Sequence, residues 1–192
     1  WKLLGAKNET CRWWAWCVAT EDTAAYRILN SRSAKAASQL LDRYEGIIMT
    51  DGYGAYQSLA RAGPKITLAH CWAHVRRKYL EAEDSYPDLS RQAVELIGRL
   101  FEIERMLPKL KPGSSDEERG SALEIKARVR NEQSGPLVKQ LLEWAYANKG
   151  RVLPGSKMGK AIAYMLKLWE GLTRFLDDPR GPLDNNGAER AL

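Results

Sequence analysis

Polar turns separate short runs of aromatic and apolar residues along the first part of the chain. Such runs lie at Trp1 to Leu4, at residues 12–20 and at residues 24–31, and residues of this kind favour β-strands. The polar residues between the runs are typical of tight connections between antiparallel strands. The pattern therefore predicts a three-stranded antiparallel meander.

A second pattern follows, in which helical and strand-like segments alternate. Ser33 is a possible N-cap for a helix of about three turns, with Gly46 as its stop signal. The apolar run at residues 46–50 predicts a strand buried on both faces, residues 54–63 predict a helix, and residues 65–72 predict another strand. This alternation is typical of an α/β core with parallel strands.

The rest of the chain has the longer period of amphipathic helices. Residues 73–86 and 88–110 predict two helices, and the polar residues 111–121 predict a mobile linker. After a further helix, a last one begins near Ser156 and ends at Asp177. Its apolar stripe consists of Met158, Ile162, Met165, Leu166, Trp169, Leu172 and Leu176.

These elements predict an α/β fold that is interrupted by a large helical insertion. Residues 1–72 form the first part of the core in this interpretation, and residues 73–155 form the insertion. Residues 156–192 are C-terminal helices that return to the core.

Composition narrows the class of protein. The 192 residues are 44% apolar and 28% charged, and no apolar run approaches the roughly 20 residues of a membrane-spanning helix. A net charge of +6 favours a polyanionic partner. Three cysteines without CxxC spacing argue against a disulfide framework and favour a reducing cytoplasm. Because the chain begins at Trp1, we expect it to be a fragment of a longer protein.

Two acidic residues are candidates for chemistry, and each has a structural alternative. Asp51 follows an apolar strand, and ligands of open α/β sheets bind outside the carboxyl ends of strands. Asp51 with Gly52 is also a common turn dipeptide. Glu189 lies in a polar stretch near the end of the chain, but with Asn186 as N-cap it also sits where a carboxylate stabilises a helix.

A histidine and cysteine cluster raises the question of a metal site. His70, Cys71 and His74 lie close together in the sequence. A structural zinc site usually needs four ligands, so these three do not predict one by themselves.

Three consecutive cations follow this cluster. Arg76, Arg77 and Lys78 are expected at the start of a helix, where the helix dipole does not favour positive charge. A phosphate partner or neighbouring carboxylates would explain them, and so would a solvated face.

The order of four blocks decides among these candidates: "TDGYGAYQSL", "AHCWAHVRRKYLEA", "GKAIAYMLKLWEGLTRFLDDP" and "PLDNNGAERAL". Together they resemble the catalytic domain of the insertion-sequence-sixty-six transposases of the TnpC type. The resemblance implies a DDE transposase with a ribonuclease-H-like fold, in which a mixed sheet combines the antiparallel meander with parallel strands. Three acids of that fold bind two Mg²⁺ or Mn²⁺ ions.

The resemblance makes Asp51 the second acid and Glu189 the third. The first acid belongs to an Asp-Glu-Thr motif that precedes the tryptophan matched by Trp1, so this chain lacks it. Cys71 and His74 resemble a C-x-x-H signature for which a structural role is expected. Because the fragment holds only two of the three acids, it is expected to be inactive alone. Arg76, Arg77 and Lys78 are expected to bind DNA.

The implied function is metal-dependent DNA strand cleavage and strand transfer in the bacterial cytoplasm, in association with the nucleoid. The implied partners are DNA, as element ends and target, and other copies of the transposase; no membrane is involved. Two alternatives stay open: a ribonuclease-H-like nuclease that does not join strands, and a non-catalytic DNA-binding or assembly module.

Overall fold

A computed structural model describes residues 2–4, 10–20, 23–41, 44–62, 65–109 and 113–190. The chain divides into two compact units. The α/β unit comprises Trp1–Leu68 and Asn185–Leu192, and the helical unit comprises Ala69–Asp184. The predicted boundaries after residues 72 and 155 stay a prediction.

Two hairpins open the α/β unit. Strand β1 (Lys2–Leu4) pairs antiparallel with β2 (Thr10–Arg12), and β3 (Trp14–Ala19) pairs antiparallel with β4 (Ala24–Leu29). The antiparallel pairing confirms the predicted strand directions. The middle strand is interrupted at Trp13, however, so the described strands form two hairpins rather than one three-stranded sheet. The predicted turn at Gly5 to Thr10 lies outside the described residues except for Thr10, which is the first residue of β2, and the predicted turn at residues 21–22 lies outside them entirely.

Helix α1 (Ala34–Leu40) follows the second hairpin. The Ser33 side chain accepts a hydrogen bond from the backbone N–H of Ala36, which confirms the predicted N-cap. The helix is shorter than predicted, because it ends well before Gly46. Gly46 instead starts the next strand with a φ of +135°, which an L-residue rarely adopts.

A strand, a helix and a strand complete this part of the chain. They are β5 (Gly46–Thr50), α2 (Gly54–Ala62) and β6 (Ile66–His70), as the sequence predicts. Strands β5 and β6 are hydrogen-bonded neighbours. Strand β5 is half-buried along most of its length, so the prediction of burial on both faces is wrong. The α/β class is confirmed, and a ribonuclease-H-like sheet stays a prediction, since the described strands form three two-stranded sheets.

Long helices build the helical unit, and a short helix, α9 (Asn186–Arg190), returns the chain to the α/β unit. A π-helix lies between the fifth and sixth helices. The helical unit contains α3 (Trp72–Leu80), α4 (Pro87–Met106), α5 (Asp116–Val129), the π-helix (Arg130–Ser134), α6 (Gly135–Lys149), α7 (Lys157–Lys167) and α8 (Trp169–Asp177).

Two predictions about these helices are wrong. Residues 116–121, predicted as part of a linker, are the first turns of α5, which a reciprocal capping box of Ser115 and Glu118 begins. The predicted last helix is two helices, because the chain turns at Leu168. The backbone N–H of Leu168 donates a shared hydrogen bond to the carbonyls of Tyr164 and Met165. Such three-centre bonds are common at helix ends, and this one marks the end of α7.

The core of the helical unit contains large side chains without solvent exposure. Trp72 is 0% exposed, and its indole N–H donates to the Leu172 carbonyl at 2.8 Å. Arg130, in the π-helix, is also buried and donates to both carboxylate oxygens of Glu104, at 3.1 and 2.5 Å. It further donates to the carbonyls of Phe175 and Pro179. Hydrogen bonds to Glu104, Phe175 and Pro179 thus hold the buried guanidinium in place.

Candidate functional site

Asp51 is the residue that directly follows β5. Its Oδ1 accepts a hydrogen bond from the backbone N–H of Tyr53 at 2.9 Å, and Gly52 between them has a φ of +83°. This arrangement is an Asx turn, so the turn role weighed from the sequence is real. The same bond holds the half-buried carboxylate at the end of the strand. The turn therefore fixes the position of Asp51 and does not compete with a role in chemistry.

Glu189 is placed by the short helix α9. The helix begins at Asn186, one residue earlier than an Asn186 N-cap would imply, and Glu189 lies in its first turn. The backbone N–H of Glu189 donates to the Asn185 carbonyl at 3.1 Å. Helix α9 packs against β3, and the Glu189 side chain is exposed.

Asp51 and Glu189 both line one pocket of the α/β unit. The pocket has a volume of about 310 Å³ and is bordered by parts of β3, the residues after β5, and α9. Asp51 and Glu189 therefore face a common space, although they are far apart in the sequence. The full lining is Trp14, Ala15, Trp16, Cys17, Arg32, Met49, Thr50, Asp51, Tyr53, Tyr56, Asn185, Ala188 and Glu189.

Aromatic side chains form one wall of the pocket. The rings of Trp16 and Tyr56 meet edge to face at 6.0 Å, and those of Tyr53 and Tyr56 do so at 6.4 Å. Burial raises the pKa of the Tyr56 phenol above its ordinary value of 10.0; the Asp51 carboxylate adds to the rise, and Arg32 opposes it. The phenol is therefore protonated at neutral pH and is a hydrogen-bond donor rather than a base.

Arg32 also lines the pocket, although no sequence pattern distinguishes it as a site residue. Its guanidinium carbon lies over the Tyr53 ring, 4.4 Å from the ring centroid. The Tyr53 hydroxyl donates to the Arg32 backbone carbonyl at 3.1 Å. Arg32 occupies the connection between β4 and α1, and its position in the pocket depends on this tertiary contact.

The donor set of the pocket fits a hard divalent cation in part. Asp51 and Glu189 offer carboxylate oxygens, the ligands that Mg²⁺ and Mn²⁺ prefer. Across the described ranges, no three His, Cys, Asp or Glu residues are grouped so that they could hold a metal ion. Asp51 and Glu189 therefore supply ligand types that such a cation prefers, without forming a metal-binding group among the described residues.

The histidine and cysteine cluster belongs to the helical unit. Cys71 is a buried thiol that precedes α3, and its side chain makes no capping hydrogen bond to the helix. His70 is buried against Gly171, and His74 is half-buried on α3. The described residues supply no group of three ligands here either. A structural role for Cys71 and His74 stays a prediction.

The expected helix position of the three cations is wrong. Helix α3 starts at Trp72, and Arg77 and Lys78 lie in its last turn, where the dipole favours positive charge. Lys78 also pairs with Glu81 at 3.0 Å. The electrostatic reason for expecting phosphate at Arg76, Arg77 and Lys78 is therefore lost. Their contribution to DNA binding stays a prediction that rests on net charge alone.

The fold and pocket define an α/β protein with a carboxylate-lined site. The whole chain, residues 1–192, matches the model of the Transposase IS66 family, and the chain belongs to this family. No solved structure matches it. Among the described residues, no helix combines the length and the apolar character that crossing a bilayer requires.

The chain is also similar to curated proteins of Sinorhizobium fredii (strain NBRC 101917 / NGR234). The uncharacterized protein y4qI is 34% identical over 205 residues, which cover 99% of this chain and 36% of that protein. The uncharacterized protein y4hP is 35% identical over 185 residues, which cover 88% and 32%. The chain thus spans about a third of the length of these relatives.

Proposed function

We propose that this chain is the main part of a DDE transposase catalytic core, which cleaves DNA at the ends of an element and joins them to target DNA. The observation that carries the proposal is the common pocket of Asp51 and Glu189. Membership of a transposase family supports the same conclusion from the whole sequence. The acids that the resemblance selects thus line one concave surface of the α/β unit.

Asp51 and Glu189 are the residues that would hold two Mg²⁺ or Mn²⁺ ions, together with an acid from the upstream Asp-Glu-Thr motif. When bound, such ions lower the pKa of an attacking hydroxyl and stabilise the leaving oxygen of an in-line displacement at phosphorus. The Asx turn holds the Asp51 carboxylate in place, and α9 carries Glu189 to the same pocket. These contacts preorganise the site before substrate arrives.

The reaction consists of two displacements at phosphorus. In cleavage, a water oxygen bonds to phosphorus, the bond from phosphorus to the 3′-oxygen breaks, and that oxygen takes up a proton. In joining, the new 3′-hydroxyl gives up its proton as its oxygen bonds to a target phosphorus. The bond from that phosphorus to the target 3′-oxygen breaks, and the released oxygen takes up a proton. The positive net charge of the chain favours a DNA substrate. Self-association in a transposition complex is part of the proposal.

The test uses a longer protein in which the upstream Asp-Glu-Thr motif is present. It should cut and join DNA carrying the element ends when Mg²⁺ or Mn²⁺ is added, and Asp51→Asn or Glu189→Gln should reduce both activities to background. Asp88→Asn and Glu124→Gln are matched controls, since both residues are exposed on the helical unit. Full activity of either pocket variant would contradict the proposal.

The same assay separates the alternatives. Cleavage without joining would support a ribonuclease-H-like nuclease, and binding of DNA without cleavage would support an assembly module. The 192-residue chain alone should be inert, because two carboxylates position Mg²⁺ poorly. Joining of DNA ends by this chain unaided would contradict the assignment of a missing first acid.

A further inference from the structure

Arg32 lines the pocket that contains Asp51 and Glu189, called the carboxylate pocket below. Two successive backbone carbonyls of its segment accept hydrogen bonds from side chains. The Trp16 indole N–H donates to the Ser31 carbonyl at 3.1 Å, and the Tyr53 hydroxyl donates to the Arg32 carbonyl at 3.1 Å. Trp16 and Tyr53 also line the pocket. Two pocket residues therefore fix the backbone from which the Arg32 side chain extends.

The Arg32 side chain is in turn placed by the Tyr53 ring. The guanidinium lies over the ring face at 4.4 Å, a contact that restrains it without using its N–H donors. Because the Tyr53 N–H is bonded to the Asp51 carboxylate, one residue contacts both the cation and the acid. Asp51, Tyr53 and Arg32 thus form a connected set.

The donors of this guanidinium have no acceptor within the described part of the chain. No ion pair and no side-chain hydrogen bond of Arg32 is present there, and the residue is exposed. Arg27, the preceding arginine, differs, since its guanidinium donates to the Gln39 carbonyl at 2.9 Å. A planar guanidinium that is oriented and not bonded internally matches two oxygens of one phosphate.

We propose that Arg32, stacked on Tyr53, binds a backbone phosphate of the DNA strand that enters the carboxylate pocket. The inference rests on the proposed function and adds a binding residue to its site. The cation supplies the attraction for DNA that Asp51 and Glu189 by themselves would oppose. Arg32 is a binding residue, because it contacts a phosphate of the strand and not the reacting atoms.

The experiment measures binding of this chain to a short fluorescein-labelled duplex of random sequence by fluorescence anisotropy over a series of salt concentrations. Loss of one phosphate contact lowers the slope of log affinity against log salt by about 0.9. Arg32→Ala should show this change and weaken binding about fivefold at ~0.1 M salt. Arg32→Lys keeps a charge at the position and should restore the slope, with weaker binding than arginine.

Arg61→Ala is the matched control. Arg61 is exposed on α2 in the same unit and does not line the pocket, so its removal changes the net charge equally. A slope change for Arg32→Ala that exceeds that for Arg61→Ala supports the inference. Equal changes for the two variants, an unchanged slope for Arg32→Ala, or no duplex binding by the wild-type chain would overturn it. Circular dichroism of each variant checks that the fold is kept.

Failure of the proposed function has a different signature. In that case the longer protein would retain cleavage after Asp51→Asn, whatever the salt slope of Arg32→Ala. If Arg32→Ala kept the wild-type slope of log affinity against log salt while Asp51→Asn abolished cleavage, the proposed phosphate contact would be wrong. The catalytic assignment of Asp51 would still be supported.

Discussion

The two units differ in how they use apolar side chains. In the helical unit, large residues such as Trp72, Ile97 and Met165 are buried in one continuous core. Among the described residues of the α/β unit, the buried cluster is small and centres on Trp16, Ala36 and Ala37, while several aromatic rings line an open pocket. Regions with few buried apolar contacts open most easily. We therefore expect most of the stability to come from the helical unit, whereas the candidate chemistry lies in the α/β unit.

The largest expected effect on stability is that of Arg130→Met. This variant leaves the Glu104 carboxylate and the Phe175 and Pro179 carbonyls without the guanidinium that joins them. Removing one partner of a buried ion pair costs about 3 kcal/mol or more. Urea unfolding monitored by hydrogen exchange should show this loss of unfolding free energy in the helical unit.

Arg105→Met provides the control for that variant, because Arg105 is exposed on the same helix as Glu104. It should change the free energy of unfolding by less than about 0.5 kcal/mol. If Arg130→Met lowered the free energy of unfolding by less than about 1 kcal/mol, the buried guanidinium would not be a main stabilising element of the unit.

A pair of glycines in the helical unit tests packing next. A Cβ at Gly171 would lie 2.4 Å from the His70 ring, whereas a Cβ at Gly98 would have no neighbour within 4 Å. Gly171→Ala should therefore lower the free energy of unfolding by about 2 kcal/mol. Gly98→Ala, in the middle of α4, should raise it by roughly 0.5–1 kcal/mol. Equal effects of the two variants in urea unfolding would contradict the tight contact.

Trp16→Phe tests the α/β unit by itself. The variant keeps an aromatic ring but loses the hydrogen bond to the Ser31 carbonyl, which is worth about 1 kcal/mol. We expect faster hydrogen exchange in β3 and α1 and unchanged exchange in the helical unit. Equal acceleration of hydrogen exchange in both units would show that they unfold together and would contradict the expected difference in their stability.

The smallest effect is a pH dependence of the helical unit. Hydrogen bonds and charge from Arg180 hold the pKa of Asp178 below its ordinary value of 3.8. A carboxylate with a lowered folded pKa binds fewer protons in the folded state, so its stabilisation is present above about pH 4 and is lost as the pH falls through the folded pKa. Asp178→Asn should remove this component, and an unchanged acid limb in urea titrations would contradict it.

Local chemistry explains which elements the sequence could predict. Ser33 caps α1 as expected, and the aromatic and apolar runs between polar residues identified the strands of the hairpins. Helix α5 escaped notice because it is mostly exposed and only Ala122 is buried, so it has almost no apolar periodicity. The turn at Leu168 was missed for the opposite reason, since the apolar stripe continues across it from α7 into α8.

The site shows the same limit. Asp51 could be selected as a residue after a strand, but only the family resemblance distinguished it from a turn residue, and in the structure it makes the turn as well. Arg32 could not be selected, because its place in the pocket arises from stacking on Tyr53, a residue far along the chain. Contacts of this kind leave no local pattern in the sequence.

In the proposed function, Asp51 and Glu189 hold the same divalent ions in one pocket of the α/β unit. The most direct test is anomalous diffraction from Mn²⁺ in crystals of the longer protein that carries the first acid. We expect anomalous density in contact with oxygens of both side chains, and carboxylates within about 8 Å of each other, because ions about 4 Å apart must share them. Anomalous density that contacts neither residue, or carboxylates separated by well over ~12 Å, would contradict it.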